Sequence, residues 1–202
     1  MVATQTTSRG IKKAEEVDPI KSLKDIQKIK QYLLGKKNKR EYLLFVLGIN
    51  IGLRASDLLA LRIKDVENTN RVTIIEKKTG KQKTFTLNNS AKEAIKLYLH
   101  SLCSYTPEDF LFKSQKGGHL TVSSTHRIIK SIMRELGIKG NFGTHTMRKT
   151  FGYFMYTNNI SFDPGFLNTL QKIFNHSTSL ITLRYIGITN QVISDAYKSL
   201  NL

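Results

Sequence analysis

Residues 143–150 read Gly-Thr-His-Thr-Met-Arg-Lys-Thr and set His145 and Arg148 three positions apart, just inside an expected helix start. Thr144 is a good N-cap, and residues 151–156 that follow are mostly apolar. Residues at i and i+3 share a helix face, so an imidazole and a guanidinium point the same way from the positive end of a helix. That arrangement suits an anion, phosphate above all. Arg54 offers a second guanidinium at the junction of two apolar segments, where an unpaired charge is costly. It reads either as a simple ion pair with Asp57, three residues on, or as an arginine held by Asp57 and delivered to a phosphate. Lys77, Lys78 and Lys81 crowd the tip of an expected hairpin. That tip is either a solvated loop or a finger carrying an ammonium to a leaving oxygen, since a lysine with a lowered pKa can donate a proton. Further on, residues 174–188 supply His176 and Tyr185. Tyr185 lies among Leu180, Ile181, Leu183 and Ile186, which suits a core tyrosine. A nucleophilic tyrosine needs a cationic cluster instead, because an unperturbed phenol ionises only at about pH 10.

The bulk composition favours a polyanionic partner. Lys and Arg total 32 against 15 Asp and Glu, a formal net charge of +17, while the hydrophobic fraction of 40% is ordinary for a globular domain. Residues 42–53 form the longest apolar run, but a bilayer span needs roughly 20 residues, and Asn50, Gly48 and Gly52 interrupt it. The N-terminus lacks the apolar core of a signal peptide, and Cys103 stands alone, so no internal disulfide forms and a reducing cytoplasm is expected. The five histidines (His100, His119, His126, His145 and His176) show no zinc-motif spacing, so no metal or other cofactor is expected. Nucleic acid is the leading partner and a membrane is not.

The elements that must position these groups are mostly helical. Residues 1–18 read as a flexible polar leader before a single domain over 19–202. Apolar residues at 20, 23, 26, 29 and 33 predict a first amphipathic helix, residues 41–50 a buried one, and Gly52 a break before another helix capped near Ser56 or Asp57. Two β-rich runs over 71–87 flank Thr79-Gly80 and predict a hairpin. Helices are then expected over 90–102, over 121–138 with a serine cap, and from Thr144. Residues 104–120 carry loop signals with at most one short strand. Three further helical stretches are expected at 166–174, 178–186 and 190–200. The fold class is α+β, mainly α-helical with a small antiparallel sheet.

Taken in order, Arg54 in GLRASDLLAL, Lys78 in KKTGKQKTFTL, HTMR at 145–148, and NHSTSLITLRY ending at Tyr185 resemble the tyrosine recombinase (phage integrase) family. The resemblance covers roughly residues 20–190. It implies the family's catalytic fold and a metal- and ATP-independent site-specific recombinase that integrates or excises a phage or mobile element. Tyr185 would attack a scissile phosphate to give a 3′-phosphotyrosyl link. Arg54 and Arg148 would clamp the non-bridging oxygens, His145 and His176 would bond the same phosphate, and Lys78 would act as general acid. The family's usual Leu-Gly before the last histidine is Phe174-Asn175 here, and asparagine tolerates the left-handed turn that such a glycine serves. The resemblance also implies double-stranded DNA as the partner, a tetramer on that DNA with a monomer as the alternative for the free domain, and a tail helix over about 189–202 that packs on a neighbouring protomer or folds back in cis. Members generally carry a separate N-terminal helical domain, so the chain is expected to be a catalytic-domain fragment or a short member. Two rivals share these features: a type IB topoisomerase-like enzyme and a catalytically silent DNA-binding protein.

Overall fold

The computed structural model describes residues 16–188, 194 and 197–200. The first helix, α1 (Leu23–Gly35), starts where the Ser22 hydroxyl accepts the Asp25 N–H, and it buries Ile26, Ile29 and Leu33 beneath a lysine-rich outer face. Helix α2 (Arg40–Ile51) is apolar almost all round and runs through the core. It ends at Gly52, whose φ of 61° is left-handed and where a Cβ would overlap the Phe151 ring, so only glycine fits. Two short helices, α3 (Ala55–Leu59) and α4 (Ile63–Val66), lead to the hairpin. Its strands β1 (Arg71–Ile75) and β2 (Gln82–Thr86) pair antiparallel, Arg71 opposite Thr86 and Ile75 opposite Gln82. Then follow α5 (Asn89–His100), α6 (Val122–Glu135), α7 (Thr144–Asn159), α8 (Phe166–Phe174) and α9 (Ser179–Ile186). This is the expected α-dominant α+β architecture.

Several local expectations change. Arg54 itself, extended at φ −65° and ψ 149°, stands at the cap of α3, ahead of Ser56 and Asp57. Thr121 caps α6 through the Ser124 N–H, in place of a serine. Thr144 is already helical: Gly143 precedes α7 and donates its N–H to the Thr146 hydroxyl. Residues 104–120 give only the isolated bridges Arg62–Phe110 and Lys113–His119. The expected leader falls mostly on residues 1–15, outside the described residues, whereas 16–18 pack on the domain. Most of the expected tail helix over 189–202 likewise lies outside the described residues.

Two apolar clusters form the interior, and α7 threads both. The larger joins α1, α2, α5 and α6 to Met147 at the front of α7. The smaller comprises Leu170, Phe174, Ile186 and Ile188, packed under Phe151, Tyr153, Met155 and Tyr156. Gly152 makes the second cluster possible, because a Cβ there would lie 2.6 Å from both Ile186 and Phe174. Helices α8 and α9 therefore close directly onto the α7 backbone, one turn beyond Arg148. Gly152→Val is expected to lower stability by about 1–3 kcal/mol in urea denaturation, since it overpacks this contact. Gly35→Ala, whose Cβ meets nothing within 4 Å, is expected to stay within about 0.5 kcal/mol of the wild type.

Candidate active site

Arg148 is the most deeply set of the expected site residues, 3% exposed on the inner face of α7. Its Nη1 donates to the Gly52 carbonyl at 2.6 Å and its Nη2 to the Phe174 carbonyl at 3.1 Å. Both carbonyls belong to helix C-termini, which lack partners of their own. The guanidinium also lies over the Phe174 ring, 4.6 Å from its centroid. Arg54 reaches the same region and pairs with Glu76 at 2.7 Å. The expected partner, Asp57, does something else: its Oδ1 accepts the Lys77 N–H at 3.0 Å and so fastens the hairpin tip to α3. Glu76 also accepts the Thr79 hydroxyl at 2.8 Å. Its carboxyl is held below the usual range: burial opposes the shift, and Thr79, Arg54 and Lys83 outweigh it.

Tyr185 sits on the last turn of α9, half-buried, with its hydroxyl 3.2 Å from His145 Nδ1. Its ring is boxed by Phe174 and His176, with centroids at 5.4 and 5.1 Å. Burial pushes the phenol's pKa up, while Arg148 and Arg54 pull it back. His145 is held below its ordinary value by partial desolvation of its ring, and further by Arg148, Lys149, Arg54 and Lys78. It is thus a neutral imidazole beside a phenol, the arrangement a proton acceptor needs. His176 follows Asn175, whose φ of 54° and ψ of 47° are the left-handed turn that glycine would supply. The ring is oriented through Nδ1 and the Thr182 hydroxyl at 3.1 Å. Burial, with Arg148 and Arg54 nearby, pulls its pKa down to about 4.

Five of the six expected residues, Arg54, His145, Arg148, His176 and Tyr185, therefore converge on one positively charged pocket. Lys78 stands at the exposed hairpin tip, near enough to weigh on the His145 ring. A groove of about 710 Å³ between β2 and α8 lies beside this pocket, lined by Glu76, Lys83, Phe151 and Asn175 among others. Three residues near the pocket escaped the sequence reading. Glu76 is one. Lys83 is the second: it shares the half-buried face of β2 with Phe85 and donates to the Ile173 carbonyl at 2.9 Å. Burial and Arg148 pull Lys83 down to about 8. Strand alternation alone would have turned it inward. The third, Lys149, follows Arg148 on α7 and is 4% exposed. Among the described residues, no cluster of His, Cys, Asp or Glu is arranged to hold a metal ion, and no helix is long and apolar enough to cross a membrane.

The phage integrase family model matches residues 20–191, a span that contains all six of these positions. This chain belongs to that family, the tyrosine recombinases. A probable integrase/recombinase of Bacillus subtilis (strain 168), YoeC, is 41% identical over 185 residues, covering 90% of this chain and 96% of the relative. A tyrosine recombinase of Pseudothermotoga lettingae is 30% identical over 87% of this chain, which spans 58% of that relative's length. Among solved structures, XerA recombinase superposes with a TM-score of 0.73 at 20% identity, over 94% of this chain and 67% of that one. XerH site-specific recombinase, bound to its palindromic difH substrate in a post-cleavage complex, gives 0.69 at 23% identity, over 92% and 53%. The integrase fold thus accounts for the described domain, and the alignment takes in only 58% of the Pseudothermotoga relative and 53% of the XerH chain.

The depressed His176 has a consequence for stability. An unfolded histidine titrates at about 6.5, so below that pH the unfolded chain binds a proton that the folded chain refuses. The stability that neutral His176 contributes is full above about 6.5 and is lost as pH falls toward about 4. NMR titration is expected to place its midpoint near about 4, and His176→Gln should flatten that limb of the pH–stability curve. A midpoint at the ordinary imidazole value would contradict the burial described here.

Proposed function

We propose that this integrase-family chain cleaves and rejoins double-stranded DNA at a specific site, with Tyr185 as the nucleophile. The observation that carries the reading is the Tyr185 hydroxyl 3.2 Å from His145 Nδ1, in a pocket faced by Arg148 and Arg54. In this reading Tyr185 Oη attacks the scissile phosphorus as its proton passes to His145. The bond from phosphorus to the 5′ oxygen breaks, and that oxygen takes a proton from the Lys78 ammonium. The product is a 3′-phosphotyrosyl link and a free 5′-hydroxyl, and rejoining runs the same steps backwards. Arg54, Arg148 and His176 offset the charge that gathers on the non-bridging oxygens, the largest single contribution in many such reactions. Phosphoester energy is kept in the covalent link, so neither metal nor ATP is needed. The post-cleavage complex of XerH with its difH substrate and the complex of the Tn1549 transposon integrase with circular intermediate DNA support DNA as the substrate class here. Integration or excision of a phage or mobile element, tetramer assembly on DNA and a cytoplasmic setting belong to the same proposal.

The test is covalent trapping on a nicked duplex from which the 5′-hydroxyl fragment diffuses away. With EDTA present, the wild type should give a band that survives denaturing electrophoresis, and Tyr185→Phe should give none. Lys78→Ala should cleave about 10²–10⁴-fold more slowly. It should recover on a duplex whose 5′ bridging oxygen is sulfur, a leaving group that needs no proton. A band that persists in Tyr185→Phe would overturn the assignment.

A further inference from the structure

Lys149 is an ammonium almost without solvent, and the proposed cleavage steps do not use it. A charge so placed is costly unless partners compensate it, and the partners here are specific. Its Nζ lies 2.8 Å from Glu16 Oε1, and the same nitrogen stands over the Tyr185 ring, 5.1 Å from the centroid. Glu16 belongs to a strap, residues 16–21, that runs from Asn141, just before α7, to Gly187, just after α9. Asp18 N donates to the Asn141 carbonyl at 2.7 Å, and Asn141 N returns a bond to Asp18 Oδ2 at 2.9 Å. Ile20 N donates to the Thr150 hydroxyl at 2.8 Å, and Lys21 Nζ to the Gly187 carbonyl at 2.8 Å. One stretch of chain therefore grips both the helix of His145 and Arg148 and the turn just after Tyr185.

We propose that Lys149, pinned by Glu16, is a positioning residue that seats the Tyr185 ring for attack. The inference rests on the reading of Tyr185 as nucleophile. Phe174 and His176 meet the ring at 71° each, and Lys149 adds a cation over its face. The phenol then has little room to swing, while its hydroxyl stays beside His145. In-line attack depends on such confinement. The cation also favours the electron-rich ring that develops as the proton leaves. Because Lys149 is buried, it is not one of the lysines that neutralise DNA phosphates, so its removal should leave the salt dependence of binding unchanged.

Lys149→Met keeps the stem and removes the charge; Lys149→Arg restores the charge; Glu16→Gln frees the ammonium from an exposed carboxylate whose loss leaves the core intact. Single-turnover cleavage at saturating DNA is expected to fall about tenfold in Lys149→Met, with unchanged DNA affinity and salt slope, and to recover in Lys149→Arg. Glu16→Gln should fall in the same direction by less, and it carries the test if Lys149→Met fails to fold. A second readout is independent of activity: fluorine NMR of 3-fluorotyrosine placed at position 185. Its line should move and broaden in Lys149→Met and return in Lys149→Arg. Cleavage within about twofold of wild type together with an unmoved fluorine line would overturn the proposal. If the wild type forms no covalent band, the reading of Tyr185 as nucleophile fails, and the fluorine line alone then decides whether Lys149 seats the ring.

Discussion

The buried guanidinium of Arg148 is the interaction on which the rest of the site depends. Helices α2 and α8 both stop at left-handed residues, Gly52 and Asn175, and each stop leaves a carbonyl facing inward. Arg148 takes one carbonyl from each, so a single side chain ties the ends of two helices to the second turn of a third. Hydrogen bonds from a charged donor contribute about 1.5–3 kcal/mol each. The geometry follows directly: Phe174 is both a ligand of Arg148 and a wall of the Tyr185 box, and His176 is two residues beyond it. The residue that would bind phosphate is thus also the one that sets where the neighbours of the proposed nucleophile stand.

Charge explains why the pocket is poised for an anion. Arg54, Lys83, Arg148 and Lys149 crowd around His145 and His176, and the carboxylates of Glu76, Asp57 and Glu16 offset these four cations only in part. Burial first, and then this surplus, keep both histidines neutral by resisting a further positive charge. A phosphate entering such a site relieves repulsion as well as making hydrogen bonds. The same field opposes the burial that makes Tyr185 a reluctant acid, because Arg148 and Arg54 favour the phenolate. In the proposed reaction, one set of charges would bind the anion, keep the accepting imidazole neutral and favour the phenolate.

Much of this was legible in the sequence. The helical periods, the hairpin at Thr79-Gly80 and the order Arg54, Lys78, His145, Arg148, His176, Tyr185 are local signals, and Asn175 is itself a sequence signal for the left-handed turn it makes. What escaped was tertiary. No spacing shows that Glu76, rather than Asp57, pairs with Arg54, because the hairpin folds Glu76 back across 22 residues of chain. Lys149 looked like one more lysine in a basic protein, and its burial arises only when the strap at 16–21 and α9 close over α7. Gly152 carried no turn signal at all; its role is the close approach of Phe174 and Ile186.

The most direct test of the account is to identify the residue that becomes attached to DNA. The covalent complex on a nicked duplex is digested with protease and nuclease, and the nucleotide-bearing peptide is sequenced by mass spectrometry. The account predicts the modification on Tyr185. Attachment to another tyrosine of the neighbourhood, such as Tyr153 or Tyr156, would contradict it, because neither hydroxyl is held against His145 as that of Tyr185 is.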